Sequence, residues 1–292
     1  MIKPDFYTEP VRAIKEDAPT MLIDGDMICH MVANAANGWS YRVLDGRARP
    51  VFPSALEANS YLLQLGLSKE LWRERLAIPE SLENTLHSVR LTLEFIFESC
   101  NFGPAIIFIS GTDNFRYKIS KDYKANRSNY VAPYHLQNCK DYLIKRYDAI
   151  VVDGMEADDA IGIAATQQPY SIICSLDKDL DMIPGRHYKW PFNNQAGYKY
   201  KINEVEALRC FYTQLITGDP TDNIGGLSEK APKKRTFPTK PIEAMESEEE
   251  MKEYVLTGYK QKYGEEAEEA MEKMGQLLWI LREEGKVWRL NN

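Results

Sequence analysis

Carboxylates recur in short groups along this chain: Asp24 with Asp26, Asp113 alone, Glu156 with Asp158 and Asp159, Asp177 with Asp179, and Asp219 with Asp222. Brought together without counter-charge they would repel. Two unit charges about 4 Å apart cost roughly 4 kcal/mol at an effective dielectric near 20. A cluster of this kind must protonate or bind cations. Its donors are oxygens, since the chain has only four histidines and its five cysteines never form C-x-x-C. Such a set selects hard divalent ions, Mg²⁺ or Mn²⁺, over zinc. Two such ions about 3.5–4 Å apart activate a water and stabilise the leaving oxygen of a phosphodiester. The chemistry implied is metal-assisted phosphoryl transfer.

Each acid taken singly has a plainer reading. An Asp after a strand caps a helix or turns the chain, and Asp158 and Asp159 suit the first turn of a helix. Recurrence after successive strands is what argues for a site. Asp26 and Asp181 are its weaker members, because neighbouring acids already supply the charge.

The elements that must position these acids follow from apolar patterning. Thr20–Asp24, Pro104–Ser110, Ala149–Asp153 and Tyr170–Ser175 read as short buried strands, and each is followed within a few residues by acids. Residues 54–100 read as mostly helical, broken near Pro79, with Leu82, Leu86, Val89, Leu93 and Ile96 on one buried face. Glu156–Gln168 and Glu204–Thr217 read as helices, the second stopping at Gly218. Tyr188–Phe192 and Tyr198–Ile202 suggest a hairpin around Asn193–Gly197. After Lys230 come a Pro- and Lys-rich stretch, an acidic run at Glu246–Glu250, and helices. Strands alternating with helices imply an α/β fold with a mostly parallel sheet, whose ligands sit beyond the carboxyl ends of its strands. The acids would converge there.

Charge is unevenly spread. The chain carries 36 Lys and Arg against 43 Asp and Glu, net −7, yet Arg116–Arg127 (RYKISKDYKANR) holds five bases and one acid with Tyr117 and Tyr123 interleaved. Bases grip phosphates and tyrosine faces stack on nucleobases. Lys124 and Arg127 would share a face if the segment were helical. An apolar content of 44% excludes wholesale disorder. The absence of a long apolar run excludes a membrane-spanning helix, and the N-terminus does not read as a signal peptide. Scattered cysteines in odd number suit a reducing compartment. A cytoplasmic monomer is expected.

In order, LIDGD, YKANR, GMEADDAIG, SLDKDLDMI and GDPTDNIGG resemble the 5′-nuclease superfamily. The likeness is strongest to bacteriophage 5′→3′ exonucleases and flap endonucleases, relatives of the 5′-nuclease domain of bacterial DNA polymerase I. It covers roughly Met21 to Leu227. The resemblance implies a PIN-like catalytic core over residues 1–205, with a helical arch at about 114–147. A C-terminal helical DNA-binding subdomain over 206–292 would carry a degenerate helix–hairpin–helix. It implies two Mg²⁺ per site, with Mn²⁺ able to substitute. Asp24, Asp113, Glu156, Asp158 and Asp159 would serve the first ion. Asp177 and Asp179 would bridge toward the second, completed by Asp219 and Asp222. Lys124 resembles the arch lysine at the scissile phosphate, Arg127 its basic partner, and Tyr123 would stack on a base. Arg116, Lys118 and Lys121 would add phosphate contacts. The implied partners are DNA with 5′ ends or flaps, and RNA–DNA hybrids, in phage-type replication or recombination.

The sequence departs from the family after GDPTDN. Only part of the hairpin's glycine pattern is present, and Pro232 would disturb its second helix. Lys230, Lys233, Lys234 and Arg235 would then grip duplex phosphates as point charges, and a bound K⁺ is left open. Two rival readings stand beside this one. One is a phosphatase of the haloacid dehalogenase type, with Asp24 as nucleophile. The other is a non-catalytic nucleic-acid-binding relative.

Overall fold

Met21-Leu22-Ile23 is continuously apolar because the strand it forms is covered on both faces. That strand is the axis of the fold. The computed structural model describes residues 14–44, 50–68, 73–128, 130–227 and 237–291. Strands in chain order are β1 Met21–Asp24, β2 Asn37–Val43, β3 Val51–Phe52, β4 Arg73–Pro79, β5 Ala105–Asn114, β6 Ile150–Gly154, β7 Ile172–Cys174, β8 Gly185–Lys189 and β9 Tyr198–Ile202. The chain divides into two compact units, residues 1–27, 94–131 and 143–292 in the first and 28–93 with 132–142 in the second.

The first unit is built on a six-stranded sheet in the order β6-β5-β1-β7-β8-β9. β1 pairs in parallel with β5 and β7, β6 with β5, and β8 with β7; only β9 is antiparallel. The expected α/β class and mostly parallel sheet are therefore present. Leu22, Phe108, Val152 and Ile173 of the strands pack on Ala157, Ile161 and Ala165 of the helix Ala157–Gln167. Each large apolar side chain so buried contributes about 1.5–3 kcal/mol. A second core gathers Phe211, Tyr212, Leu215 and Ile216 of the helix Glu204–Thr217 with Met251, Val255, Tyr259, Met271 and Trp288. The acidic run proves to be the first turn of the helix Glu248–Tyr263, boxed by Ser247 and Glu250, where acids complement the helix dipole.

The second unit holds the antiparallel sheet β3-β2-β4 and the helix Ala55–Gln64. Here the sequence expectation fails. Arg73–Pro79 is a strand rather than part of a helical stretch, because it pairs with β2 along its whole length. Such distant pairing outweighs local propensity. β5 also runs past its expected end, through a register shift between Ser110 and Asn114.

Glu204–Thr217 does stop at Gly218, whose φ is +68. Gly218 and Asp219 pair with Gly225 and Ile224 to close a tight loop. A Cβ on Gly218 would lie 2.5 Å from both Gly226 N and Ile224 O. Gly218→Ala is therefore expected to lose at least about 1–3 kcal/mol from backbone strain alone, read as a lower urea midpoint at unchanged slope. No shift in midpoint would contradict this geometry. Among the described residues no helix is long and apolar enough to cross a membrane.

Candidate active site

Every acid of the expected cluster belongs to the first unit. Asp24 ends β1 and is 4% exposed. Its Oδ1 accepts a hydrogen bond from Met27 N (2.8 Å), capping the helix that follows, and its Oδ2 accepts one from Ser175 Oγ (2.7 Å). Gly25 is required beside it, since a Cβ would meet Phe108 O at 2.8 Å. Ser175, just past β7, also accepts from Asp177 N (2.9 Å). Asp177 Oδ1 in turn accepts from Asp179 N (2.8 Å), and Gln214 Nε2 donates to Asp179 Oδ1 (3.0 Å). In the loop after Gly218, the buried Asp219 accepts from Thr221 N (2.8 Å). Ser175 and Gln214 were not foreseen from the sequence. The only available signal was a polar side chain on an otherwise apolar element.

These carboxylates feel one another. Burial pushes Asp24 up to about 7, against the hydrogen bonds from Met27 and Ser175, and the charges of Asp26 and Asp177 add to the rise. Burial, with Asp24, Asp177, Glu156 and Asp159 around it, holds Asp158 well above the usual carboxylate range. Burial and the Asp177 charge push Asp179 up to about 7, and Asp219 contributes in the same direction. Asp24, Asp158, Asp177, Asp179 and Asp219 thus form one continuous run of interacting acids.

The remaining expected residues are placed differently. Asp159 is 0% exposed and Arg116 3% exposed. Arg116 Nη1 and Nη2 reach Asp159 Oδ2 (2.6 Å) and Oδ1 (2.9 Å) in a bidentate pair. Asp159 also accepts from Glu156 N (3.0 Å) and Leu281 N (3.0 Å), while Arg116 donates to the carbonyls of Leu277 (2.8 Å) and Trp279 (2.7 Å). The Asp159 side chain thus accepts four hydrogen bonds and the Arg116 side chain donates four. Asp159, expected as a metal ligand, and Arg116, expected as a phosphate contact, are paired with each other and buried in this structure. Tyr123 is likewise 3% exposed, too buried to stack on a base. Its Oη lies 2.9 Å from both Glu156 Oε2 and Asp222 Oδ2.

Lys124 Nζ contacts Glu156 Oε1 and lies 3.4 Å from Asp222 Oδ2, while Arg127 Nη2 lies 2.5 Å from Asp222 Oδ1. The basic segment is helical only in a turn at Arg116–Ile119 and a 3-10 turn at Ala125–Arg127. Lys118 and Lys121 are exposed on it. Asp113 is exposed at the end of β5 and accepts from Asn114 N (2.9 Å). Asp26 accepts from Ser110 N (2.7 Å), and Asp181 is engaged by Lys189 (3.1 Å) and Tyr200 (2.5 Å). Lys230, Lys233, Lys234 and Arg235 lie outside the described residues, as does most of the expected degenerate hairpin.

In chemistry this donor set fits a hard divalent cation. It is all oxygen, and burial and the neighbouring acids push its carboxyls up, with Lys178, 3.8 Å from Asp179, as the cation that opposes the rise. Among the described residues, however, no group of three or more His, Cys, Asp or Glu side chains stands close enough to hold one ion. Glu156 and Asp222 face Tyr123, Lys124 and Arg127, and Asp159 faces Arg116.

The raised carboxyls set a pH dependence. Asp24 and Asp179 shift from 3.8 to about 7. The folded protein therefore keeps protons that the unfolded chain has released. This contribution is complete below about pH 4 and is lost as pH rises through about 7. In EDTA the melting temperature is expected to fall between about pH 5 and pH 8, and Mg²⁺ should restore part of it at the higher pH. A flat profile in EDTA would contradict the assignment.

No protein-family model matches the chain. Among solved structures it is similar to a T5 protein co-crystallised with metal ions, at 14% identity over 89% of this chain and 100% of that one, with TM-score 0.43. It is similar to a T5 5′-exonuclease mutant at 12% identity over 90% of this chain and 100% of that one, with TM-score 0.43. It is also similar to the catalytic core of Rad2 in complex with DNA substrate, at 13% identity over 86% of this chain and 67% of that one, with TM-score 0.46. The functional reading rests on the side chains.

Proposed function

We propose that this chain is a divalent-cation-dependent 5′-nuclease that hydrolyses phosphodiester bonds of DNA at 5′ ends or 5′ flaps, and of RNA in RNA–DNA hybrids. The observation that carries the reading is the gathering of Asp24, Asp158, Asp177, Asp179 and Asp219 from four separate segments, with a basic segment docked against the adjoining acids. Structural ion-pair networks also shift carboxyls, but they bring their own cations. Among the described residues, these five have one cation close by, the exposed Lys178, whose Nζ lies 3.8 Å from Asp179 Oδ1.

Asp24, Asp158, Asp177, Asp179 and Asp219, joined by Glu156 and Asp222, would hold Mg²⁺, with Mn²⁺ as a substitute. The bound ions would supply Lewis-acid stabilisation of charge on the phosphate and an activated water. The protein's own groups do the rest. Ser175 and Met27 N fix the Asp24 carboxylate, and Gln214 fixes that of Asp179. Lys124 and Arg127 stand beside Asp222 and would turn to a phosphate held at the acids, and the exposed Lys118 and Lys121 would add phosphate contacts. Tyr117, 46% exposed, is the aromatic of this segment open to a base. The phosphatase reading fares worse, because it needs Asp24 as a free nucleophile. Asp24 is buried and both its oxygens already accept hydrogen bonds.

The test uses 5′-labelled DNA duplexes, one blunt and one carrying a 5′ flap, with Mg²⁺ and with EDTA. Mg²⁺-dependent release of mono- or oligonucleotides from the 5′ end is expected, and product lengths separate trimming from flap cutting. Binding without cleavage of either substrate would favour the non-catalytic relative.

A further inference from the structure

The oxygens of Glu156 and Asp222 face two cations and a phenol. Lys124 contacts Glu156 Oε1 and lies 3.4 Å from Asp222 Oδ2, and Arg127 contacts Asp222 Oδ1. Tyr123 Oη lies 2.9 Å from both Glu156 Oε2 and Asp222 Oδ2 and donates its one proton to one of them at a time. The donors come from within five consecutive residues, and that stretch is also held to the 220–223 loop by uncharged backbone and Asn side-chain hydrogen bonds, beside one from Arg127 Nε to Thr221 O (3.4 Å). Lys124 N donates to Asp222 O (2.9 Å), Asn126 Nδ2 to Pro220 O (2.8 Å), and Asn223 Nδ2 to Asp122 O (2.8 Å). Lys124 itself sits at φ +55, a conformation a lysine adopts only when its surroundings impose it. The side chains of Lys124 and Arg127 can therefore leave the carboxylates while the loop stays docked.

We propose that Tyr123, Lys124 and Arg127 form a latch that closes the Glu156 and Asp222 carboxylates against one another, and that these two acids exchange the latch for divalent cations. This rests on the cation-dependent reading above. On exchange, the freed ammonium and guanidinium remain tethered beside the acids, turned from carboxylate oxygens to substrate phosphate oxygens. Tyr123 is a positioning residue here: its buried phenol oxygen lies 2.9 Å from one oxygen of each of the two carboxylates. Competition for the same oxygens is reciprocal. Whatever weakens the latch tightens cation binding, and cations expose the latch.

Two measurements test this. First, Mn²⁺ binding is titrated by electron paramagnetic resonance on the wild type and on Lys124→Met, Arg127→Met, Lys121→Met and Asp158→Asn. Lys124→Met and Arg127→Met are each expected to tighten Mn²⁺ binding about 5- to 150-fold. Lys121→Met removes the same charge from an exposed position of the same segment and is expected to change it little. Equal affinities for wild type and Lys124→Met, or equal gains from Lys121→Met and Lys124→Met, would overturn the latch. If the wild type binds no Mn²⁺, or binding survives Asp158→Asn undiminished, the cation-dependent reading falls first and the latch with it. Second, reductive methylation of the unaltered protein is followed by mass spectrometry. The Lys124 side chain is 16% exposed; its labelling is expected to rise several-fold on adding Mg²⁺ while that of Lys121 stays constant. Unchanged or reduced labelling of Lys124 in saturating Mg²⁺ would also overturn the proposal.

Discussion

Asp158→Asn is expected to abolish cleavage and, at the same time, to raise the melting temperature of the cation-free protein. Asp158 lies in the first turn of the helix Ala157–Gln167, where burial and four neighbouring acids oppose its charge. Removing that charge relieves the repulsion and leaves the helix intact. It also removes a carboxylate from the middle of the acid run, where charge stabilisation worth several kcal/mol is at stake. About 4 kcal/mol corresponds to about 10³ in rate. Single-turnover cleavage of the flap substrate should fall by at least about 10³, while thermal melts in EDTA move upward. Retained turnover would remove Asp158 from the site. Lost turnover with a lowered melting temperature would show that the residue holds the fold instead.

Its neighbour should behave in the opposite way. Asp159→Asn is expected to cost about 3–5 kcal/mol, because it strips the buried Arg116 guanidinium of its bidentate partner and leaves an uncompensated charge. A domain has only about 5–15 kcal/mol in total, so the melting temperature should drop by about 6–20 °C. Replacing both partners together, Arg116→Met with Asp159→Leu, should recover most of the loss, since a matched apolar pair carries no stranded charge. Differential scanning calorimetry of the two variants decides this. If Asp159→Asn melts like the wild type, the pair is not what holds this corner of the molecule. Two adjacent aspartates in one motif would thus serve opposite ends, one function and one stability.

That difference could not be read from the sequence, and the reason is geometric. Asp158 and Asp159 are successive helical residues about 100° apart around the axis. Which one turns inward depends on Arg116, 43 residues earlier. The same holds for Tyr123, whose spacing suggested an exposed stacking face but whose ring is buried against Tyr117 and under the Lys124 ammonium. What was legible was local. β1, β5, β6 and β7 announced themselves as short apolar runs leading to acids. Glu204–Thr217 was marked by its helical stretch and its terminal glycine, and the structure adds the Asn203 and Glu206 capping box. β4 was hidden because its partner strand lies some thirty residues away. The acid run was legible as a set because parallel strands deliver their carboxyl ends to one edge whatever the side-chain details.

The Arg116–Asp159 pair also reaches the far end of the chain. Arg116 bonds the carbonyls of Leu277 and Trp279, and Asp159 bonds Leu281 N. On the ribosome, the corner that supports the acid run therefore cannot close until residue 281 has emerged from the exit tunnel. Every earlier nascent chain carries its acids and bases without the clasp that fixes them.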